Sequence, residues 1–187
     1  MKTESLLRVL WMLSLLVVFP SRAFSGAADA PAGRLENQVR RALIQLPFYG
    51  MFDHFQFRVE GSEITLMGKV TRPTLKSDAE RVVGKIEGVE RVVNRVEVLP
   101  LSPQDDRMRL RLQAAIYGHS LFQTSAFWSL PPVHLVVENG NVTLEGVVAG
   151  RMHKTIAELQ ANSVDGVFSV KNNLQIEKER KKEKAGL

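Results

Sequence analysis

Four histidines are the side chains of this sequence best suited to acid–base chemistry or metal binding: His54, His119, His134 and His153. No two of them are four residues apart, as ligands on one helix face are, or two residues apart along a strand. We therefore expect no metal site. The pattern around His134 predicts a strand residue that points away from the core face, and His153 is expected to cap or pack against a helix.

The acidic residues do not form a catalytic motif either. Glu87 and Glu90 flank a turn signal, where solvated carboxylates lack the desolvation that tunes them for acid–base catalysis. The absence of cysteine excludes thiolate nucleophiles, disulfides and lipid attachment to an N-terminal cysteine. There is no G-x-S-x-G elbow, phosphate-binding loop or dinucleotide fingerprint. We expect a protein that is not an enzyme, with no catalytic residues, no cofactor and no small-molecule substrate.

The first 25 residues have the order of a secretory signal peptide. Lys2 and Arg8 precede an apolar run at 9–19, and small residues follow. Eleven residues are too few to cross a hydrocarbon core about 30 Å thick as a helix. We predict export with cleavage near Ser25. A later cleavage position near Ala30 and an uncleaved membrane anchor are the alternatives.

The charge distribution does not favour nucleic-acid binding. The formal net charge is +5, and 22 basic and 19 acidic residues remain without residues 1–25. Five of those basic residues lie at 177–184, together with three acidic ones. The rest of the chain is then nearly neutral, whereas a nucleic-acid-binding face concentrates Lys and Arg.

The sequence contains an internal repeat at a spacing of 78 residues. Residues 59–98 align without a gap to residues 137–176, and 13 of the 40 positions are identical. Such self-similarity indicates tandem duplication of one structural unit. The connector LPLSPQDD at 99–106 is short, so the two units should touch. The predicted segments are a signal peptide at 1–25, a first unit at 34–99, a second unit at 105–177 and a basic tail at 178–187.

Each unit has the same predicted order of elements: helix, strand, strand, helix, strand. EITLMGKV and NVTLEGVV alternate with the period of a half-buried strand, and each follows another strand across a tight turn, Gly61-Ser62 or Asn139-Gly140. Helical stripes lie on both sides of the hairpin. RMRLRL alone suggests a strand, but the repeat places it in a helix. A β-branched third strand ends each unit, as VERVVNRVEV or VFSVKNNLQI.

The predicted fold class is therefore α+β, with two tandem αββαβ units. Each unit is a three-stranded mixed sheet covered on one face by two helices, because two layers are what about 65 residues can bury.

These motifs resemble the BON domain, named for bacterial osmotically inducible and nodulation proteins. The resemblance rests on ITLMG and VTLEG, and on GVERVVN and GVFSVKN one helix later. It implies framework rather than reactive roles for Gly68, Gly88, Asn94, Gly146, Gly166 and Asn172. The plan is similar to the osmotically inducible periplasmic family. It implies a periplasmic protein that binds anionic phospholipid, or supports envelope integrity under osmotic stress.

Two features are candidates for lipid or partner binding. The second unit has about five extra residues within 118–132, which carry Phe127 and Trp128. Aromatic rings favour a lipid interface, although the rings of this insertion, Phe122 included, could instead cover a sheet face or the contact between the units. The other candidate is the tail, where basic residues attract an anionic surface unless the tail is simply solvated. Its basic residues are Lys178, Arg180, Lys181, Lys182 and Lys184.

The predicted partner is an anionic phospholipid surface or an envelope protein. The alternative function is a structural adaptor that binds a protein partner in the cell envelope. A hydrolase with a site assembled between the units is the more distant alternative.

Overall fold

A computed structural model describes residues 31–127 and 131–177, and the predicted order of elements is confirmed in both units. The signal-peptide prediction lies outside these residues. The first unit contains α1 (Pro31–Ile44), β1 (His54–Glu60), β2 (Glu63–Val70), α2 (Pro73–Val83), β3 (Arg91–Asn94) and β4 (Glu97–Val98). The second unit contains α3 (Pro103–Tyr117), a 3-10 turn (Gln123–Phe127), β5 (Val133–Glu138), β6 (Asn141–Val148), α4 (Arg151–Asn162), β7 (Ser169–Asn172) and β8 (Gln175–Ile176).

The two sheets have the same topology. The middle strand, β2 or β6, pairs antiparallel with the strand before it and parallel with the two segments that follow the second helix. β1 and β5 are therefore edge strands. Both helices of a unit pack on one face of its sheet, where Ile64 and Leu66 of the first unit and Leu144 of the second are fully buried. This arrangement is the predicted mixed sheet with two helices on one face.

The third strand of each unit is broken, although the sequence predicts one continuous strand. Asn94 is the cause, because its side chain donates to the Lys76 carbonyl (2.8 Å) and accepts from the Val96 N–H (3.2 Å). These bonds tie the strand to α2 and separate β3 from β4. Asn172 makes the equivalent pair of bonds in the second unit.

Gly68 and Gly146 stand where the backbone of the preceding strand leaves no room for a side chain. Their φ angles are 117° and 122°, in the left-handed region. A Cβ at Gly68 would lie 2.0 Å from the His54 carbonyl oxygen, and one at Gly146 would lie 2.1 Å from that of Pro132. No other residue fits either position without a backbone shift. Gly88 and Gly166, with φ of 89° and 86°, turn the chain after the second helix of each unit.

RMRLRL is helical, as the repeat predicts, and α3 also takes the last residues of the predicted connector. Ser102 caps this helix by accepting the Asp105 N–H (3.1 Å). Asp105 is buried and accepts the backbone N–H groups of Asn139 (2.9 Å) and Gly140 (3.0 Å). It therefore fixes the turn between β5 and β6 to the start of α3.

Candidate functional site

The two units touch, as the short connector predicts, and the contact begins at the turn just before β1. Asp53 is almost fully buried and holds this turn, because its carboxylate accepts the N–H of Gly50 (3.1 Å) and both the N–H (2.6 Å) and the hydroxyl (2.8 Å) of Thr71. Charge-assisted bonds of this kind are among the stronger ones in proteins. The turn is therefore a rigid part of the first unit.

This turn also contributes to the second unit. The Met51 carbonyl accepts the Leu135 N–H (2.6 Å), and the Met51 and Phe52 side chains pack against the core of the second unit. The first unit thus supplies both a backbone bond and apolar side chains to its neighbour.

Two histidines meet at the same contact. His134 turns away from its own core, as predicted, but the first unit covers it and leaves it 7% exposed. Its Nδ1 lies 2.6 Å from the Asp53 carbonyl oxygen, which can only accept, so Nδ1 carries a proton. The His134 ring stacks on Tyr49 at 5.6 Å between centroids, and the His54 ring lies at the same distance on another side.

Burial favours the uncharged forms of this cluster. It lowers the pKa of His54 to about 4, with a further lowering by the neighbouring His134. It also lowers the pKa of His134, against backbone hydrogen bonds to Asp53 and Gly50 that raise it. Burial raises the pKa of Glu145, whose carboxylate lies 3.6 Å from His54 Nε2. At neutral pH the two histidines are therefore neutral packing groups.

A lysine bridges the units on the other side of the contact. Lys69 on β2 donates to Glu138 at the end of β5, and Glu97 of its own unit lies 3.3 Å away. The hydrogen bond to Glu138 is the main cause of the raised pKa of Lys69. The contact therefore combines a charged bridge with a largely buried cluster of rings.

The two edge strands are covered to different extents. On β5, the Tyr117 hydroxyl lies 2.6 Å from the Val133 carbonyl oxygen and 3.0 Å from the Val133 nitrogen. Arg109 donates to the Val137 carbonyl (2.7 Å), and the first unit covers Leu135 as described above. On β1, the Tyr49 ring packs on the Phe55 ring, with 5.3 Å between their centroids. Beyond Phe55, the edge of β1 borders an open cleft of about 720 Å³.

The outer faces of the two second helices differ in chemistry. On α4, Met152 and Leu159 are 67% and 56% exposed and lie seven residues apart, on one helix face. Ile156 between them is half-buried. The repeat aligns this apolar stripe with polar and charged residues of α2: Thr74, Asp78 and Arg81. We call Met152, Ile156 and Leu159 the α4 stripe.

The sequence-predicted binding residues fall largely outside the described part of the chain. Trp128 and the tail residues Lys178, Arg180, Lys181, Lys182 and Lys184 lie outside it, as does the side chain of Phe127. Phe122, from the same insertion, is 1% exposed in the core of the second unit, with its ring edge-on to His153 at 5.6 Å. Within residues 31–127 and 131–177, no three His, Asp or Glu side chains are grouped so as to hold a metal ion.

Sequence reasoning missed the residues at the contact. Asp53, His54 and His134 come from positions that the repeat does not align with one another, so the duplication gives no hint of their meeting. One signal was present in VHLVVE, where Val136 occupies an outward position that carries Arg58 in the first unit. An apolar residue on both faces of a strand indicates burial on both faces.

The fold and site define a class of protein: a tandem pair of αββαβ units held together by buried side chains. A sequence profile of the BON domain matches residues 32–100 and 112–178, and the chain belongs to the BON domain family. A comparison with curated proteins gives no match.

Two solved structures of CdsD, a structural protein of the type III secretion system of Chlamydia trachomatis, are similar to this chain. One is its C-terminal domain, with 17% identity over 76% of this chain and 96% of that chain, at a TM-score of 0.28. The other has 16% identity over 81% and 97%, also at a TM-score of 0.28. Similarity at this identity and TM-score gives no information about function. Among the described residues, no helix has the length and apolar character needed to span a bilayer.

Proposed function

We propose that this protein is a non-enzymatic, exported BON-domain protein that binds the surface of anionic phospholipid membranes and supports the envelope under osmotic stress. The α4 stripe is the observation that carries the proposal. Exposed apolar side chains on one helix face suit insertion at the boundary between headgroups and acyl chains. Membership of the BON family supports the same conclusion.

The basic residues near the stripe and in the tail fit an anionic surface. On α4, Arg151 begins the helix next to Met152, and the first turn has no acidic residue. The tail adds five basic residues, each contributing about 1 kcal/mol near an anionic membrane before its acidic residues are discounted. Phe127 and Trp128, in the insertion that precedes β5, are proposed as further membrane contacts.

The chemistry of the contact between the units supports a role without catalysis. The buried His134 and Asp53 each make hydrogen bonds to the backbone, and the neutral His54 packs against them. The His134 side chain joins the two units, the Asp53 carboxylate holds the turn of the first unit, and both are covered by the fold. A binding role uses the exposed second unit and leaves them undisturbed.

Flotation with vesicles tests the membrane proposal. The mature protein should float with vesicles that contain phosphatidylglycerol and stay in the soluble fraction with phosphatidylcholine alone, at low salt. Leu159→Glu should reduce the bound fraction several-fold, because it places a charge in the stripe. Leu110→Glu is the matched control, since Leu110 is a similarly exposed leucine (61%) on α3. Equal flotation with both lipids, or equal loss in both variants, would reject the proposal.

Two further variants separate the contributions of the predicted contacts. Trp128→Ala should weaken binding at every salt concentration, because it removes apolar surface. Truncation after Ile176 should weaken binding mainly at low salt, because it removes screened charge. N-terminal sequencing of the exported protein tests cleavage near Ser25, and an intact N-terminus would favour the anchor.

A further inference from the structure

The register of the first hairpin determines which backbone groups of β1 face outward. Glu60 pairs with Glu63 across a two-residue turn, so the even-numbered residues of β1 bond to β2. The N–H and C=O groups of Phe55, Phe57 and Val59 then point to the open edge. Tyr49 covers Phe55. Within residues 31–127 and 131–177, nothing hydrogen-bonds to the outward groups of Phe57 and Val59.

The equivalent edge of the second unit shows what a covered edge looks like. Three side-chain or backbone partners reach Val133, Leu135 and Val137, as described above. Unpaired edge groups are a template for pairing with another chain, and proteins usually cover or charge them. The first unit leaves this template free over two successive outward-facing residues.

A walled cleft accompanies the free edge. The 720 Å³ space has Glu36 and Arg40 of α1 on one side, and Glu145 and Asn173 of the second unit on the other. A folded sheet edge from a second copy would bring its own helix and second unit into these walls. A single extended segment needs only the width of one strand, about 5 Å. The shape of the cleft therefore selects an extended segment.

Charge indicates one feature of that segment. The Arg40 guanidinium lies 5.3 Å from the centroid of the Phe57 ring, beside the open edge, and forms no ion pair with any residue the structure describes. A carboxylate on the helix side of an added strand would meet it. Cations stacked on a ring keep donors available for such a partner.

We propose that β1 accepts an extended segment of a partner protein as an added strand, with backbone bonds to Phe57 and Val59 and an acidic side chain facing Arg40. This is the strand-addition mode of peptide recognition. It uses a different surface from the α4 stripe, so it stands or fails independently of membrane binding.

Two matched peptides test the proposal on the mature full-length protein. Each is a six-residue acetylated strand of alternating valine and threonine, with one glutamate in the first peptide and one lysine in the second. Binding is followed in 15N-labelled protein by amide shifts and by hydrogen exchange. The glutamate peptide should bind about two- to fivefold more tightly than the lysine peptide, as one surface ion pair predicts. It should slow exchange at Phe57 and Val59.

Two variants decide between edge pairing and other contacts. Val59→Pro removes one outward N–H but leaves the bonds to β2, which residues on either side make, so the fold should survive while peptide binding falls. Arg40→Glu should reverse the preference from the glutamate to the lysine peptide. Circular dichroism confirms that both variants fold.

Three results would overturn the proposal. They are no binding of either peptide at millimolar concentration, shifts that centre away from β1, or a charge preference that Arg40→Glu leaves unchanged. Flotation of both variants with anionic vesicles should equal that of the wild type, which keeps this test separate from the membrane proposal.

Discussion

β1 and β5 occupy equivalent places in two copies of one fold, but their surroundings differ. Along β5 five successive residues are buried, because its own helices cover one face and the first unit covers the other. Along β1, Gln56, Arg58 and Glu60 are exposed. The comparison teaches that duplication preserved the contacts inside each unit and allowed the outer faces and edges to diverge. Specific function is therefore expected on those faces and edges.

The contacts inside each unit explain which residues the repeat retains. Asn94 bonds to Lys76 and Glu80, and Asn172 bonds to the residues 78 positions further along, which are again lysine and glutamate. Three of the 13 identical positions of the repeat therefore form one helix-to-strand clamp, made twice.

The largest expected effect on stability tests whether equivalent glycines matter equally in the two units. Gly68→Ala and Gly146→Ala should each lower the free energy of unfolding by about 3 kcal/mol or more, because a Cβ would collide with a backbone carbonyl at a positive φ. Urea denaturation measures both losses. Gly33→Ala is the control, since a Cβ there meets nothing within 4 Å in a helix and should be neutral or stabilising. A large loss in one unit only would break the equivalence.

The next effect is confined to the contact between the units. The folded protein holds His54 at a pKa of about 4, against an ordinary value of 6.5. Between these pH values the unfolded chain binds a proton that the folded chain does not, so stability falls as pH falls from 6.5 to 4. The His54 contribution lost over this range is about 3 kcal/mol.

Comparison of His54→Gln with the wild type isolates that contribution. The lowered pKa of His134 adds to the loss of stability as pH falls, and the raised pKa of Glu145 opposes that loss. Both contributions are present in the wild type and in the variant. The variant should show a weaker decline in unfolding free energy between pH 6.5 and 4, whereas His119→Gln should match the wild type. Parallel pH profiles for all three proteins would contradict the assignment.

The smallest expected effect on unfolding free energy comes from removing a single ion pair, and two such pairs can be compared. Lys69→Met removes the bridge between the units and should cost about 1 kcal/mol, because its partners are partly shielded. Arg91→Met removes a more exposed pair with Glu63 inside the first unit and should cost less than about 0.5 kcal/mol. Thermal unfolding of the two variants ranks them, and the reverse order would show that Lys69 adds nothing to the contact.

Local patterns sufficed to predict the elements but not the contacts between distant residues. Asn139-Gly140 fixes a hairpin by its own backbone preferences, and the repeat resolves RMRLRL as a helix. The break after Asn94 depends on a bond to a helix 18 residues earlier, which no local pattern reveals. The meeting of His134 with Asp53 spans 81 residues and depends on how two sheets cross. Neither periodicity nor repetition carries that information.

The turn that carries Met51 and Phe52 has a consequence for how the chain comes apart. Because part of the first unit completes the interior of the second, the two halves should melt in one transition. Leu101 in the connector is 96% exposed and offers a protease easy access. A cut there should yield two fragments that remain associated through size-exclusion chromatography. The covalent connector brings the two halves together, and their shared interior then holds them in contact.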